Sequence, residues 1–446
     1  MVDNALPLEA RDRPLRYLFL DLNSYFASCE QQESPELRGK PIAVVPVEAD
    51  TSCVIAASYE AKAYGVKTGT KIGDAKAMCP GLICVMGRHP LYSYYHKKVI
   101  EVVEDVLPVE EVCSIDEMRF RLLGDERTPG NALQLALRIK KELRERAGEC
   151  LTCSIGIATN KFLAKVGTEL QKPDGLVVIQ QDDLPHRLHC LKLTDFPGIN
   201  KRMAARLNGA GIFTTEQMCA ASKHEMLNAF GSIVGERWWY MLRGYDVSYD
   251  AQTGQTLGHS HILAPDLRNE KGCREVLQRL LQKAAARLRS HNLWACGMVV
   301  YVSGFTKSWR ARVKLPPTQD SVTLNEYFME LWPSHNYIKP RGVGVTFYDL
   351  REGEAFTPSL FDETVERSKM SHAIDDLNQR FGKNKVVLAG IDSVKHTAEE
   401  KIAFNKTWLF SEGKGDNEWV DTFRGLPRDN NAEKEGARKE EWDWED

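Results

Sequence analysis

The first half of the chain alternates short apolar runs of strand length with longer segments whose apolar residues recur every three or four positions. Short runs bounded by turn residues predict strands, and three- and four-residue spacing predicts amphipathic helices. The strands are predicted at 16–22, 41–47, 53–57, 112–123, 151–158 and 176–179, and the helices at 24–32, 58–64, 90–107, 132–147 and 160–171. The pattern therefore predicts a mixed α+β region of about 185 residues.

The second half of the chain changes character twice. Residues 186–245 show only helical periodicity, which predicts an all-helical segment. Between 258 and 350, helices predicted at 272–291 and 324–332 each precede an apolar β run, and a further strand is predicted at 310–315. This order is typical of a small sheet with helices on one face. A chain of 446 residues is long enough for about three domains, which fits these changes.

Composition narrows the class of protein. Hydrophobic residues make up 43% and charged residues 27%, which is typical of folded proteins and excludes wholesale disorder. The longest clean apolar run, at 295–302, is too short to cross a bilayer, and the N-terminal segment lacks the apolar core of a secretory signal. We therefore expect a cytoplasmic protein without membrane contact. Its eleven cysteines are scattered, and the C-x-x-C pair of Cys150 and Cys153 lacks the second pair that a zinc site would need.

Charge is distributed unevenly along the chain. The net charge of −3 excludes a uniformly basic surface. Residues 251–350 nevertheless hold thirteen lysines and arginines against seven acids, so this segment is suited to bind an anion. Residues 411–446 hold twelve acids against six basic residues and are predicted to be a disordered acidic tail.

Carboxylates interrupt two of the predicted strands. Asp21 ends an apolar strand, and Asp116 and Glu117 interrupt a second one. An ionised carboxylate in apolar surroundings is costly unless a cation compensates it, and three such oxygen donors could hold two Mg²⁺ ions about 4 Å apart. Adjacent residues on a straight strand point to opposite faces, so we expect Asp116 and Glu117 at a bend or hairpin end. The alternative is that Asp21 caps the next helix and the other two acids lie in a polar turn.

Four motifs occur in an order that resembles the Y-family DNA polymerases, the translesion enzymes of the UmuC/DinB type. They are LFLDLNSYFASCE, VIAASYEAKAYGVKTG, CSIDE, and SIGIATNKFLAK followed by KPDG, and the resemblance runs from residue 16 to about 350. It implies a bacterial, template-directed DNA polymerase of the SOS response that extends primers past damaged DNA. It also implies a multi-domain α+β right-hand fold, with a palm (15–32 and 89–186), fingers (33–88), a helical thumb (187–250) and a little finger (258–350).

The same resemblance implies the metal ligands. Asp21, Asp116 and Glu117, with the backbone carbonyl of Leu22, match the family's ligands for two Mg²⁺ ions, for which Mn²⁺ can substitute. Asn23 stands where many members carry a second Asp, but UmuC-like members also have Asn there and it is not a ligand. The set of oxygen ligands is therefore expected to be complete.

The resemblance further implies contacts to the incoming dNTP. Tyr59 and Lys62 lie three residues apart, so they share one helix face, and together with Lys161 they match residues that hold the triphosphate. Lys165, one turn beyond Lys161, is expected to be structural. Phe26 matches the aromatic steric gate that excludes a ribose 2′-hydroxyl, and the alternative is that it is only a core aromatic.

Two segments match DNA-holding parts of the family. The turn F-P-G-I-N, with Gly198 and Ile199 at its centre, resembles a helix-hairpin-helix turn whose backbone contacts phosphate. In the little finger, four basic residues alternate with apolar or small ones and are expected to face the duplex backbone, although a merely solvated charged face is the alternative. These residues are Lys307, Arg310, Arg312 and Lys314.

The predicted C-terminal tail, 351–446, contains one further motif. Residues 357–361 resemble a clamp-binding peptide in which Leu360 and Phe361 fill an apolar pocket, although Thr357 stands where a Gln is usual. The expected partners are thus primer-template DNA, a dNTP and a sliding clamp, and the chain is expected to act as a monomer. The alternatives are an inactive polymerase-like scaffold that binds DNA and clamp, and a nucleotidyl cyclase with a palm-like site.

Overall fold

The structure is a computed structural model that describes residues 13–247, 256–352, 364–382, 385–387 and 389–397. These residues form two compact units, one on each side of the break between 247 and 256. The predicted clamp-binding peptide at 357–361, with Leu360 and Phe361, lies outside the described residues, as does the acidic segment 411–446.

The first unit contains eight strands and ten α-helices within its described part. The strands are β1 (Tyr17–Leu22), β2 (Ile42–Val45), β3 (Ala56–Ala57), β4 (Ile83–Met86), β5 (Val109–Val112), β6 (Glu117–Arg121), β7 (Cys153–Ala158) and β8 (Leu176–Ile179). The helices are α1 (Tyr25–Glu33), α2 (Tyr59–Ala63), α3 (Ile72–Met78), α4 (His89–Glu104), α5 (Pro129–Glu142), α6 (Lys161–Leu170), α7 (Lys201–Gly209), α8 (Thr215–Ala220), α9 (Lys223–Phe230) and α10 (Ile233–Met241).

A five-stranded sheet forms the centre of this unit, in the order β5-β6-β1-β7-β8. All six residues of β1 are buried, because β1 pairs with β6 on one side and β7 on the other and is covered on both faces. The single strand predicted at 112–123 is instead a hairpin of β5 and β6. Its turn falls at the acids, where the prediction placed a bend.

A second, three-stranded sheet has the order β3-β2-β4, and all its strands lie within the residues predicted as fingers. Neither α3 nor β4 was predicted, because they are only seven and four residues long and show too little periodicity to be recognised. The segment 186–245 is helical as predicted, in α7 to α10. The boundaries between palm, fingers and thumb stay a prediction.

The second unit is a four-stranded antiparallel sheet with helices packed on it. Its elements are β9 (Thr256–Ile262), α11 (Glu270–Ser290), β10 (Leu293–Lys307), β11 (Trp309–Thr318), α12 (Ser321–Leu331), β12 (Ile338–Glu352) and α13 (Thr364–Phe381). The strand order is β11-β10-β12-β9. Apolar residues of α11 and α12 pack with residues of all four strands in one core, as predicted for a sheet with helices on one face.

The helix α13 lies inside the segment that the sequence analysis assigned to a tail. It is attached to the second unit by a bidentate ion pair in which Arg289 Nε and Nη2 donate to the two carboxylate oxygens of Asp375, at 2.5 and 2.9 Å. Ser371 of α13 also donates to Asp320 at 3.1 Å. The second unit therefore extends beyond residue 350, at least to the end of α13. No helix in the described part of the chain is long and apolar enough to span a membrane.

Candidate active site

Three carboxylates meet at one end of the five-stranded sheet. Asp21, near the end of β1, is the cross-strand partner of Glu117, the first residue of β6. The turn before β6 is closed by the amides of Cys113 and Ser114, which donate to the Glu117 carbonyl at 2.9 and 3.2 Å. The amide of Leu22 donates to the Asp116 carbonyl at 2.8 Å, which brings the turn against the end of β1. The structure thus places together the carboxylates that the sequence analysis selected from two distant stretches.

Side chains from outside the strands fix this turn. The ring of His96, on α4, donates through Nδ1 to the Ile115 carbonyl at 2.7 Å, since a carbonyl can only accept. The hydroxyl of Ser114 donates to Asp116 Oδ1 at 2.5 Å. Burial raises the pKa of Asp116 to about 6 even though the Ser114 hydrogen bond lowers it, and the charges of Asp21 and Glu117 raise it further. The carboxylates therefore repel one another, and the site favours an added positive charge.

Two lysines provide positive charge in this structure. The ammonium of Lys165, on α6, contacts Asp21 and lies 2.9 Å from Glu117 Oε1, and Lys172 lies 3.1 Å from the same Asp21 oxygen. Glu169 pairs with both ammonium groups, at 3.4 and 2.9 Å. Burial alone would lower the pKa of Lys165, but the Asp21 and Glu117 carboxylates outweigh it and raise that pKa. Lys165 was expected from the sequence to be structural, and Lys172 and Glu169 were not among the predicted site residues.

The donor set fits a divalent cation chemically. Among the described residues, no three or more His, Cys, Asp or Glu side chains already converge as a metal cage. Instead, Asp21 and Glu117 turn toward Lys165 and Asp116 turns toward Ser114. Carboxylate and carbonyl oxygens are the ligands that Mg²⁺ prefers. A metal would offset both the burial of Asp116 and the repulsion that Lys165 compensates only in part. Asp21, Asp116, Glu117 and the Leu22 carbonyl are thus the residues that could hold it.

The short helix α2 faces the same end of β1. The Lys62 ammonium donates to the Ser24 hydroxyl at 2.6 Å and lies 4.3 Å from the centre of the Tyr59 ring. Ser24 precedes the first residue of α1 and has a left-handed backbone, φ 48°, and its hydroxyl makes no capping hydrogen bond to the helix. Burial lowers the pKa of Lys62, and the nearby Lys172 ammonium lowers it further. Two cations, Lys62 and Lys172, therefore lie close to each other and to Asp21, as a binding site for a polyanion requires.

A buried amide holds the loop that carries Lys172. Asn23 accepts a hydrogen bond from the Asp174 amide at 2.7 Å, and its Nδ2 donates to the Ser154 hydroxyl at 2.9 Å. The Lys140 ammonium adds contacts to the Cys153 carbonyl and the Asp174 side chain, both at 2.7 Å. Asn23 therefore positions this loop beside the carboxylates.

The other two residues predicted to contact the nucleotide, Phe26 and Lys161, lie on different helices. Phe26, in the first turn of α1, is only 4% exposed and stacks on the ring of Tyr92. Lys161 is the first residue of α6, whose cap Asn160 donates to the Met241 and Tyr245 carbonyls at 2.9 and 3.0 Å. Lys161 is one helical turn before Lys165, about 6 Å along the helix axis. The structure places Lys165, one turn further along α6, in contact with the carboxylates.

The predicted helix-hairpin-helix turn lies just before α7. Gly198 has φ +97°, a conformation that favours glycine, and Asn200 caps α7 by accepting from the Met203 amide at 2.9 Å. The side chain of Ile199 is buried, and its amide donates to the Phe196 carbonyl at 3.0 Å. The Ile199 amide therefore already has an acceptor within the turn, which leaves the predicted phosphate contact to the neighbouring backbone.

In the second unit, the basic residues lie on one face of an edge strand. Along β11, Arg310, Arg312 and Lys314 are exposed, whereas the residues between them are partly buried, and Lys307 is exposed at the end of β10. This alternation is what the sequence analysis predicted for these positions.

On the same face of this sheet, two tyrosine rings lie over glycines of the neighbouring strand. Tyr348 of β12 is the cross-strand partner of Gly297, and Tyr301 of β10 is the partner of Gly344. A Cβ atom at Gly297 would lie 2.1 Å from the Tyr348 ring, and one at Gly344 would lie 2.4 Å from the Tyr301 ring. The guanidinium of Arg312 is 4.2 Å from the centre of the Tyr348 ring. The tyrosine rings therefore lie flat on the sheet beside the basic row.

Family models and curated relatives match this arrangement. The impB/mucB/samB family model matches residues 20–169, which include all three carboxylates, and the model of that family's C-terminal domain matches residues 255–360. A DNA polymerase IV of Moorella thermoacetica is 31% identical over 381 residues, an alignment that covers 83% of this chain and 94% of that protein. The chain belongs to the Y family of DNA polymerases.

Further comparisons agree with the Y-family assignment. DNA polymerase IV 1 of Bacillus subtilis is 29% identical over 408 residues, covering 89% of this chain and 97% of that protein. A Y-family DNA polymerase chimera of Dbh and Dpo4 shares the fold with a TM-score of 0.63 at 24% identity, covering 76% of this chain and 99% of that chain. An insertion ternary complex of Dbh DNA polymerase has a TM-score of 0.53 at 25% identity, with the same coverage of 76% and 99%.

This Y-family chain is a DNA-directed DNA polymerase that carries out translesion synthesis, and its catalysis uses a divalent metal. The predicted family, the multi-domain α+β fold and the activity are confirmed. The roles of individual residues stay predictions.

Proposed function

We propose that Asp21, Asp116 and Glu117, with the Leu22 carbonyl, hold two Mg²⁺ ions at the end of the five-stranded sheet, with Mn²⁺ as a substitute. The observation that supports this most directly is the cross-strand pairing of Asp21 with Glu117 while Asp116 lies in the adjoining turn. When bound, the metal neutralises the triphosphate and favours ionisation of the primer 3′-hydroxyl. Catalysis is then mainly positioning and charge compensation by the chain's own residues.

The lysines contribute to this positioning. The charge of Lys172 acts on both Lys62 and Tyr59, so these three groups lie close together beside Asp21. We assign the two ammonium groups, with the Tyr59 hydroxyl, to the phosphates of the incoming dNTP, because a triphosphate needs several donors at one place. Lys161 keeps its predicted phosphate role one turn away. Lys165 holds Asp21 and Glu117 together before the metal binds.

Phe26 is assigned to sugar selection. It follows Asp21 by five residues, and its ring is held against the core by a stacked neighbour, so it would resist displacement by a 2′-hydroxyl. Phe26→Ala should raise ribonucleotide incorporation, measured as the ratio of kcat/KM for dNTP and rNTP on one primed template. Unchanged sugar discrimination would contradict the role.

The substrates of this proposal are primer-template DNA and dNTPs. We assign the basic face of Lys307, Arg310, Arg312 and Lys314 to the duplex backbone. The backbone of the turn at Gly198, apart from the amide of Ile199, is assigned to phosphate. Primer extension opposite an abasic site and a bulky adduct, with Mg²⁺ and with the metal chelated, tests the whole assignment. Nucleotide consumption without template would instead indicate a cyclase.

The alternative of an inactive scaffold predicts DNA binding without extension. Its discriminating experiment is Asp116→Ala, which should abolish extension and leave DNA binding largely intact. If extension persisted, the metal-site assignment would be wrong. All three carboxylates are present here, and the matched relatives are named as polymerases, so the active enzyme is favoured.

A sliding clamp is the remaining proposed partner. Leu360 and Phe361 are assigned to a pocket on the clamp, which would raise the effective concentration of a monomeric polymerase at the primer terminus. Deletion of 359–361 should reduce clamp-stimulated synthesis and spare distributive synthesis. Equal loss of both would indicate a folding role instead.

A further inference from the structure

A buried polar cluster lies directly behind Phe26. The Phe26 ring stacks on Tyr92 of α4, with ring centroids 4.3 Å apart and planes inclined by 17°. Tyr92 is 0% exposed, and its hydroxyl donates to Glu30 Oε1 at 2.6 Å. Glu30, one turn beyond Phe26 on α1, is also 0% exposed. A buried carboxylate thus anchors the aromatic ring on which Phe26 rests.

Arg88 completes the cluster. Its Nε donates to Glu30 Oε2 at 3.0 Å, and its backbone amide donates to the Tyr92 hydroxyl oxygen at 3.1 Å. The hydroxyl of Tyr25, which precedes Phe26, donates to the Tyr92 carbonyl at 2.6 Å. Tyr92 is therefore held at both ends, through its hydroxyl and through its backbone.

Filling space alone does not explain this cluster. Taking a carboxylate and a guanidinium out of water is costly, and apolar side chains of similar volume often stabilise a core as well or better. What the cluster provides is a defined position for one ring, because a stacked aromatic pair moves together and each hydrogen bond at Tyr92 restricts that movement.

We propose that Tyr92, fixed by Glu30 and Arg88, is a positioning residue that sets how far Phe26 extends toward the nucleotide sugar. This inference rests on the proposed role of Phe26 as the sugar gate. Repulsion between a ring edge and a 2′-hydroxyl rises steeply with overlap, so a gate that can retreat by a fraction of an ångström discriminates less. The cluster would then determine the preference of the enzyme for dNTP over rNTP without touching either.

Tyr92→Leu is the main test. Without the stacked ring Phe26 can retreat, so kcat/KM for rNTP should rise and the dNTP-over-rNTP ratio should fall by about two- to tenfold, the range expected for one aromatic pair. The constants kcat and KM are measured separately for each nucleotide on one undamaged primed template. A general folding defect would lower kcat/KM for dNTP and rNTP alike, whereas loss of positioning changes the ratio of the two values.

Tyr95→Leu is the matched control. Tyr95 lies on the same helix, is 6% exposed, and donates to another acid of α1, Glu33, at 3.1 Å. Its ring contacts that of Tyr94, with centroids 5.2 Å apart. Tyr95→Leu should lower the melting temperature as Tyr92→Leu does but leave sugar discrimination unchanged. If both variants reduced discrimination equally, the specific role of Tyr92 would be refuted.

Two milder variants keep the test decisive if Tyr92→Leu does not fold. Tyr92→Phe keeps the ring and removes the hydroxyl, and Glu30→Gln keeps the size and removes the charge, so each should lower the ratio by about two- to threefold. Suppose that folded Tyr92→Phe and Glu30→Gln keep the sugar discrimination of the parent while Phe26→Ala loses it. This result would overturn the positioning role of Tyr92 and leave the role of Phe26 as the sugar gate intact. Unchanged discrimination in Phe26→Ala would refute both.

Discussion

The five-stranded and four-stranded sheets of this polymerase carry charge in opposite ways. In the five-stranded sheet the acids lie at the end of buried strands, and Asp21 is only 6% exposed. In the four-stranded sheet the basic residues of β11 point to solvent from every second position. Charges in a buried place need specific partners at short distances, whereas exposed charges need none and can meet any polyanion that lies along them.

Under the proposed roles, this difference separates catalysis in the first sheet from DNA binding in the second. The carboxylate site has paired ammonium groups, a turn fixed by His96, and an acid whose pKa is raised. The basic face has a flat row of cations beside tyrosine rings. A change in the first sheet should therefore alter one step or one ion, and a change in the second should alter affinity in proportion to the charge removed.

The largest effect is expected from Asp116→Asn. Loss of one carboxylate should lower the rate of primer extension at least about a thousandfold, because the charge compensation that the site supplies in the transition state is lost. Single-turnover extension gives the rate, and fluorescence anisotropy of labelled primer-template should show affinity within about twofold of the parent. Comparable loss of DNA binding would show that the two sheets do not divide the work in this way.

The second largest effect is expected on the stability of the metal-free protein when Lys165 is replaced by Met. Removing an ammonium that the buried Asp21 and the partly buried Glu117 share should destabilise the metal-free protein by about 3 kcal/mol. Chemical denaturation in the presence of a chelator measures this loss. Added Mg²⁺ should restore more stability in the variant than in the parent. Lys141→Met is the control, because it removes the same charge from a side chain that is 68% exposed. Equal behaviour of the two variants would contradict the role of Lys165.

In contrast to the loss of stability in Lys165→Met, Asp116→Asn is expected to gain stability relative to the parent as the pH rises. The folded-state pKa is raised from 3.8 to about 6, so the folded protein binds a proton there that the unfolded chain does not. This contribution to the stability of the metal-free parent is present below about pH 4 and is lost as pH rises through about 6. Asn does not titrate, so between pH 4 and pH 8 the variant should gain at most about 3 kcal/mol of stability relative to the parent.

Denaturation series at pH 4, 6 and 8 with a chelator present measure this gain. A difference between Asp116→Asn and the parent that does not change with pH would contradict the raised pKa. If the gain with pH is observed, Asp116→Asn combines the loss of primer extension with a gain in stability at high pH. This is the expected trade-off between activity and stability at a site built from like charges.

The smallest effect is expected on the basic face. Replacing Arg310, Arg312 and Lys314 together by Gln should weaken binding to primer-template by about tenfold at moderate salt. The slope of log affinity against log salt should fall by about one for each phosphate that the protein no longer neutralises. Stability in metal-free buffer should not change. An unchanged salt slope would support the alternative of a merely solvated face.

The sequence predicted the sheet and its acids well because both leave local signals. An apolar strand that ends in Asp21, and a second strand interrupted at Asp116 and Glu117, are visible in a few adjacent letters. Long amphipathic helices such as α11 were predicted for the same reason. Short elements such as β4, and α13 within a supposed tail, carry too little periodicity or apolar surface to be recognised.

The partners of the acids could not be predicted in this way. Lys165 contacts Asp21 across 144 positions of sequence, and Glu30 contacts Tyr92 across 62. Either lysine of the N-K-x-x-A-K motif can face the carboxylates until the direction of α6 across the sheet is known. A helix period indicates a shared face, and only the packing of that face shows which neighbour it meets.

The glycines beneath Tyr301 and Tyr348 have a consequence for the shape of the face that carries the basic row. With no side chain under either ring, each ring can lie against the neighbouring strand, and the Tyr348 hydroxyl donates to the Val313 carbonyl at 3.0 Å. A side chain at Gly297 or Gly344 would push the ring above it away from the sheet, because its Cβ atom would come within 2.1 or 2.4 Å of ring atoms. A substitution at either glycine would therefore reshape this face without removing any of its charges.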